Sequence, residues 1–324
     1  GPSRWFALST GPTGTAPRKI STEARAPARD GNGRREMDAR VGMGRHRTAA
    51  AFALACAVCA APATAQEDRD SAAVAAASGV PSAAGGPRGW RGQWGAGLIA
   101  NPKFVGGDAY NLTPIPYLDF RYYDERGTRL FANIPQGLGG YFLRRRASQG
   151  RRFLNLGAAL APGFNVRDDS IDGLQEVDPA AELRLYLEAG TGPWVGSATL
   201  AQDVGSGHEG AYADLALSYR GQVGGRGGFF AAGPVLRIGD DDYKGALFGV
   251  TAAESAASGL PAFTPDAGVE RAGLQGLLSM PLGASPWRWT AIVRGSRLMS
   301  DAADSPVTAD ATQWFFLTSF TRAF

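Results

Sequence analysis

The hexapeptide Gly205-Ser206-Gly207-His208-Glu209-Gly210 holds the only histidine beyond the first 65 residues, with a hydroxyl and a carboxylate beside it. Ser, His and Glu are the side chains of nucleophilic hydrolysis, so the segment invites a hydrolase reading. Its spacing argues against one. Neighbouring residues of an extended chain point to opposite sides, and glycines on both flanks of Ser206 and His208 mark a tight turn. The expectation is a turn whose histidine caps or hydrogen-bonds; a catalytic base is the minor alternative.

Asp240-Asp241-Asp242 opens the longest stretch without a strand pattern, 240–267. Three adjacent carboxylates could supply oxygen ligands to Ca2+, but no EF-hand spacing follows, and a solvated acidic loop is expected. Arg144-Arg145-Arg146 with Arg151 and Arg152 is the opposite cluster, suited to lipid phosphates or to a plain polar turn. Both cysteines, Cys56 and Cys59, lie in an apolar run near the start of the chain. The remainder therefore needs neither a disulfide framework nor a thiol nucleophile. No phosphate-cradling glycine motif, zinc-ligand spacing or recognisable carboxylate dyad appears. No catalytic residue, metal or cofactor is assigned.

The other charges follow a rhythm of two, and that rhythm belongs to strands. In 180–189, Ala181, Leu183, Leu185, Leu187 and Ala189 alternate with Glu182, Arg184, Tyr186 and Glu188. Such alternation defines a strand with one apolar and one charged face. In 211–220, Ala213, Leu215, Leu217 and Tyr219 oppose Tyr212, Asp214, Ser218 and Arg220. In 287–296, Trp289, Ala291 and Val293 oppose Arg288, Thr290, Arg294 and Ser296. Further strands are expected at 91–100, 114–123, 128–143, 152–165, 193–203, 228–238, 268–280 and 312–324.

These segments are longer than ordinary strands and carry aromatics at their ends, including Trp90, Trp94, Trp194 and Trp287. Length and aromatic girdles favour an all-β, antiparallel transmembrane barrel over a soluble sandwich. The charges then face a lumen: Asp119, Arg121, Glu182, Arg184, Glu188, Asp214, Arg220 and Arg294, with opposite signs expected to pair across the interior. Eleven strands is an awkward count, because bacterial single-chain barrels have even numbers. Ala246–Thr251 could supply a twelfth. Twelve strands are expected, with ten as the alternative.

The rest of the chain reads as a precursor. Residues 1–42 are rich in Arg, Pro and Gly and begin with Gly rather than Met, which suggests translated upstream sequence with a start at Met43 or Met37. Arg45, His46 and Arg47, the apolar run Thr48–Cys59 and Ala63-Thr64-Ala65 make a signal peptide over 43–65, cleaved near Ala65. Residues 66–89 form a low-complexity linker, and 90–324 the barrel. Of the 33 Lys+Arg and 30 Asp+Glu in the chain, 10 and 4 lie in 1–65, leaving 23 and 26 beyond it. The mature part is mildly acidic, which removes a nucleic-acid partner.

Trp314, Phe316, Thr318, Phe320, Arg322 and Phe324 share one face of the last segment, and the chain stops on Phe. A terminal aromatic after an alternating aromatic strand resembles the barrel-assembly signal of Gram-negative outer-membrane proteins, with Arg322 as a departure. Three further stretches point to a family. One is Leu247-Phe248-Gly249-Val250 with Glu254-Ser255-Ala256-Ala257-Ser258-Gly259-Leu260 and Phe263-Thr264-Pro265. A second is Leu298-Met299-Ser300-Asp301 running to Asp304-Ser305-Pro306-Val307; the third is Gly107-Asp108 with Pro114-Ile115-Pro116-Tyr117. In this order, with the Gly-His-Glu-Gly turn, they resemble the MipA/OmpV family of outer-membrane proteins over 90–324.

That resemblance implies an outer-membrane barrel whose best-known members join a lytic transglycosylase to a murein polymerase. Other members are discussed as antigens, adhesins or factors in antibiotic response. The family has no established catalytic residues, so none carries over. A scaffold for peptidoglycan enzymes, surrounded by lipid and lipopolysaccharide, is the expected role; a small-solute channel is the alternative, and an outer-membrane hydrolase a distant third. The matching motifs fall mostly in loops, where they serve either interaction or the bracing of the barrel.

Overall fold

The computed structural model describes residues 88–147, 152–167, 171–224 and 227–324. The expected upstream extension, signal peptide and nearly all of the linker lie outside these residues, as does Arg151. Twelve strands follow one another: β1 Gly89–Pro102, β2 Tyr110–Asp124, β3 Gly127–Asn133, β4 Gly137–Arg146, β5 Arg152–Gly163, β6 Ala180–Thr191, β7 Trp194–Asp203, β8 Ala211–Val223, β9 Gly228–Gly239, β10 Gly268–Pro281, β11 Trp287–Leu298 and β12 Thr312–Ala323. Each pairs antiparallel with its neighbours, and β1 pairs with β12, so the sheet closes on itself without an edge. One end carries the two ends of this ladder and short turns. The other carries the long connections 103–109, 164–179, 204–210, 240–267 and 299–311.

Burial follows the alternation of the sequence, but inside out. On β6, Glu182, Arg184 and Tyr186 are 0%, 1% and 5% exposed, while Leu183, Leu185 and Leu187 are 47%, 48% and 40% exposed. The same inversion holds on β8, where Leu215, Leu217 and Tyr219 face outward, and on β12, where Trp314, Phe316, Phe320 and Phe324 do. A sheet in water would leave its leucines inside and its charges out.

The lumen has its own packed interior. Ile99, Ala231, Leu277, Ile292, Phe315 and Leu317 form one buried apolar cluster. Phe131, Tyr141, Ala159 and Tyr186 form a second beside it.

Two strand expectations need correction. Residues 128–143 are not one strand but β3 and β4. Pro135 lacks an N–H for the ladder, and Asn133 Oδ1 accepts from the Gln136 backbone N–H at 2.8 Å, closing an Asx-type turn before Gly137 at φ 84°. That hairpin supplies the twelfth strand. Ala246–Thr251 does not: it falls across the end of helix α1, Asp241–Phe248, and the start of α2, Ala252–Ser258, with only an isolated bridge between Val250 and Phe263. A third short helix, α3, spans Asp301–Asp304.

Candidate functional site

The loop end of the barrel is filled by its own connections. Asp240 caps α1: Oδ1 accepts from the Tyr243 N–H and Oδ2 from the Ala211 N–H, each at 2.8 Å. One carboxylate of the acidic run is thus engaged by backbone and ties the helix to the start of β8, while Asp241 and Asp242 are exposed. Tyr243 and Leu247 lie one helical turn apart, as do Lys244 and Phe248, and all four are at most 2% exposed. Tyr243, Leu247 and Phe248 pack against Val105, Val177, Ala201, Tyr212, Leu298 and Ala302, each from a different strand, helix or connection.

Helix α2 is fixed by a capping box, Thr251 and Glu254 serving each other's backbone N–H, and ends on Gly259 at φ 78°. Glu254 does more than cap. Its Oε1 accepts from Arg167 Nη2 at 2.6 Å and from the Gln175 N–H at 2.9 Å. Arg167 also donates to the carbonyls of Gln175 (2.9 Å) and Gly249 (2.8 Å), tying Arg167 and Gln175 to the helical connection.

Burial alone would raise the Glu254 pKa, but the N–H donors of Gln175 and Thr251, the Thr251 hydroxyl and Arg167 together hold it below its ordinary value of 4.5. A carboxylate with a depressed folded pKa stabilises the fold at pH above 4.5, and that stabilisation disappears as acid protonates it. Protection of the 251–259 amides, taken relative to their intrinsic exchange rates, is therefore expected to fall below pH 4.5. In Glu254→Gln that protection should be low already at pH 7 and should not fall further in acid.

The family-motif residues sit in this plug. Phe248, Gly249, Val250 and Glu254 are buried, and Ser255, Ser258 and Leu260 half-buried. Ser255 Oγ donates to the Leu260 carbonyl and Ser258 Oγ to that of Glu254, at 2.6 and 2.7 Å. Ser305 Oγ donates to the Phe248 carbonyl at 2.6 Å, with Pro306 half-buried next to it. Gly259 and Asp304 are exposed.

Below the plug lies a polar network. Glu182 receives Arg184 Nε (2.7 Å), Tyr212 Oη (2.9 Å) and His208 Nε2 (3.2 Å). His208 Nδ1 accepts from the Gly210 N–H at 3.2 Å, so Nε2 carries the proton that faces Glu182. Asp203 builds the turn that aims this histidine inward, its carboxylate accepting from the N–H groups of Gly205, Gly207 and Glu209 at 2.7–2.9 Å. Ser206 stays exposed. The Ser-His-Glu arrangement weighed from the sequence is thus not assembled.

Gly210 carries α1 close against this turn, since a Cβ there would lie 2.1 Å from Tyr243 N. Gly210→Ala is therefore expected to displace α1 and lower stability by about 1–3 kcal/mol, measurable by urea unfolding of the detergent-solubilised barrel.

Arg237 binds Asp214 through two bonds of 2.6 and 2.7 Å, donates to Asn165 Oδ1 (2.8 Å) and Tyr243 Oη (3.0 Å), and lies 4.1 Å over the Tyr212 ring. Lower down, Arg121 engages Asp119 (2.9 and 3.0 Å) and Gln136 (3.0 Å). Arg294 donates twice to Gln275 Oε1 and faces the Phe315 ring. Glu188 accepts from Asn155 at 3.3 Å, and Arg220 is half-buried on the same inner surface.

Among the expected lumen charges, Asp119 pairs with Arg121 and Glu182 with Arg184 along one strand, and Asp214 with Arg237 on the adjacent strand. Crossing the interior are bonds to carbonyls, such as Arg184 to Pro135 and Tyr186 to Gln136, at 2.8 and 2.9 Å. A cavity near Ser197, Asp214, Arg237, Arg271 and Arg294 has a volume of about 20 Å³, room for roughly one water. Arg167, Arg237 and Tyr243 carry no signal in the sequence that sets them apart; His208 stands out there as a turn histidine, Glu254 as part of the family motif, and only the Asp203-x-Gly-x-Gly pattern hints that the histidine points inward.

A family model described as MltA-interacting protein MipA matches residues 94–324. The chain belongs to the MipA family. No curated protein matches it. The match to the MipA model starts in β1 and runs to the terminal Phe324, so it takes in the whole of β2–β12, the plug and the inward network. Phe324 itself ends this MipA-family barrel on its outer face: its N–H donates to the Gly92 carbonyl at 3.0 Å, and its ring lies 5.8 Å from that of Phe120. Near it, at the turn end, stand the ring pairs Trp90–Tyr122 and Trp94–Trp287, both at 5.5 Å, and Trp194–Tyr219 at 5.2 Å.

Proposed function

We propose that this chain is an outer-membrane β-barrel with a filled lumen, acting as a non-enzymatic interaction protein linked to peptidoglycan synthesis and turnover. The inverted burial supports the membrane reading. Rows of outward leucines beside wholly buried Glu182, Arg184 and Arg237 fit a surface solvated by lipid and lipopolysaccharide, not by water. In barrels of this kind short turns face the periplasm and longer connections the exterior. The turn end is then the surface open to a periplasmic lytic transglycosylase, the partner that the family description suggests, and through it to a murein polymerase. The family motifs brace the opposite end, so they mark the plug and not the docking surface.

Packed apolar clusters and engaged arginines inside the barrel favour interaction over conduction, and the engaged ring nitrogens of His208 speak against hydrolysis. Pull-down with the mature chain is expected to enrich murein enzymes from a periplasmic extract, and no enrichment counts against the scaffold role. In planar bilayers the protein should be silent. A steady, ion-selective conductance would make the channel reading the right one.

A further inference from the structure

The departure from the assembly signal at Arg322 has a physical setting. Along the regular strand register the outward face is apolar but for a few charges: Arg145, Arg152 and Arg322 near the turn end, and Arg297 near the loop end. All of them are basic. The strand carboxylates Asp119, Glu182, Asp214 and Glu270 are directed to the lumen side, and Asp124, at the end of β2, is held by Arg144 at 2.5 and 2.6 Å. Arg322 is exposed, and its side chain makes no hydrogen bond or ion pair among the described residues.

Its neighbours are specific. Arg322 lies directly opposite Trp94 on β1 and directly opposite Trp287 on β11. The two indoles meet edge to face, 5.5 Å apart, across the strand that carries it. Cross-strand partners stand about 5 Å apart at Cβ, so Arg322 projects from the outer face beside this ring pair. Phe320 and Phe324, two residues away on either side, are 49% and 68% exposed on the same face. An unpaired guanidinium in hydrocarbon costs about 2–4 kcal/mol at mid-membrane but little at the interface. At the girdle it can reach the headgroup layer while its stem and the indoles stay apolar.

We infer that Arg322, flanked by Trp94 and Trp287, binds the phosphate of a phospholipid headgroup in the leaflet nearest the turn end. The guanidinium offers a planar fork of donors that matches phosphate oxygens, and the two indoles flank the glycerol and upper acyl region. Arg145 and Arg152, opposite the outward Leu154 and Thr191 on neighbouring strands, extend the same basic level around the barrel. This site rests on the membrane-spanning reading above.

The test uses the mature chain refolded in detergent, delipidated and titrated with phosphatidylglycerol or with diacylglycerol of the same acyl chains. Bound lipid is read by native mass spectrometry. Wild type should retain phosphatidylglycerol, Arg322→Gln should bind it about tenfold more weakly, the loss of one charge-assisted contact, and diacylglycerol should not distinguish them. Equal phosphatidylglycerol affinity in wild type and variant overturns the site. Should the Gln variant not fold, Arg322→Lys keeps the charge but loses the fork, and a loss of roughly threefold is expected; unchanged affinity again overturns it. A parallel reconstitution of wild type into phosphatidylcholine vesicles, read by protease protection, tests membrane insertion separately. Failure there sinks the spanning reading itself, whatever the headgroup result.

Discussion

Glu182→Leu is expected to destabilise the barrel by about 3–5 kcal/mol, the cost of leaving a buried charge without its partner. Arg184 is 1% exposed and would keep only the carbonyls of Pro135 and Pro162. Tyr212 Oη and His208 Nε2 would lose their acceptor as well. The loss is one of desolvation, not of attraction. The double variant Glu182→Leu/Arg184→Met, which removes both charges and keeps similar volume, should therefore recover most of the stability. Reversible urea unfolding of the four proteins in vesicles, followed by tryptophan fluorescence, gives the cycle. A single variant within 1 kcal/mol of wild type would mean that water reaches Glu182 and that the lumen is open at this level.

Phe248→Ala is the second large effect. The ring is 0% exposed and sits where α1, α3 and the strand ends converge, with its carbonyl held by Ser305. Truncating a fully buried Phe costs about 3–5 kcal/mol, part of it from the cavity left behind. Here the ladder between strands does not depend on the ring, so the loss should fall on the plug. Proteolysis within 240–267 should speed up by two orders of magnitude or more in the variant, while the β-sheet circular dichroism signal stays at the wild-type level. If the sheet signal collapses together with the loops, plug and barrel fold as one cooperative unit, and the connections do more than seal the end.

The two changes probe layers that differ in how plainly the sequence announces them. The alternation on 180–189 and 211–220 carries over to the structure with every outward leucine in place, because a period of two is a local property of extended chain and needs no partner. Closure is nearly as legible: a chain of long alternating strands with apolar outer faces has to remove its edges. The strand count was harder. Within 128–143 the alternation runs through Asn133-Ile134-Pro135-Gln136 almost undisturbed, and only the Asn133 side chain and the missing Pro135 N–H decide that the chain reverses there.

Three leading Asp residues predict a solvated acidic loop for the 240–267 connection. In the structure one of them caps a helix whose Tyr243, Leu247 and Phe248 turn inward, and a four-residue apolar spacing is too short a signal to separate a buried helix from a strand. The pairing of charges is further from the sequence still. Asp214 meets Arg237, which lies opposite it on the next strand, and Arg167 meets Glu254 across 87 positions of chain.

What the sequence by itself determined is the face each strand residue presents, and hence that charge lies inside and leucine outside. Alternation and the aromatic ends are both short-range facts. Only the tertiary structure decided what fills the inside and which connections seal it. Those contacts join Val105, Tyr212, Tyr243 and Leu298, residues that become neighbours only once the sheet has closed. Arg322 stands between the two levels: its type and its outward face were legible from the sequence, while its place between Trp94 and Trp287 exists because β12 pairs with β1 on one side and β11 on the other.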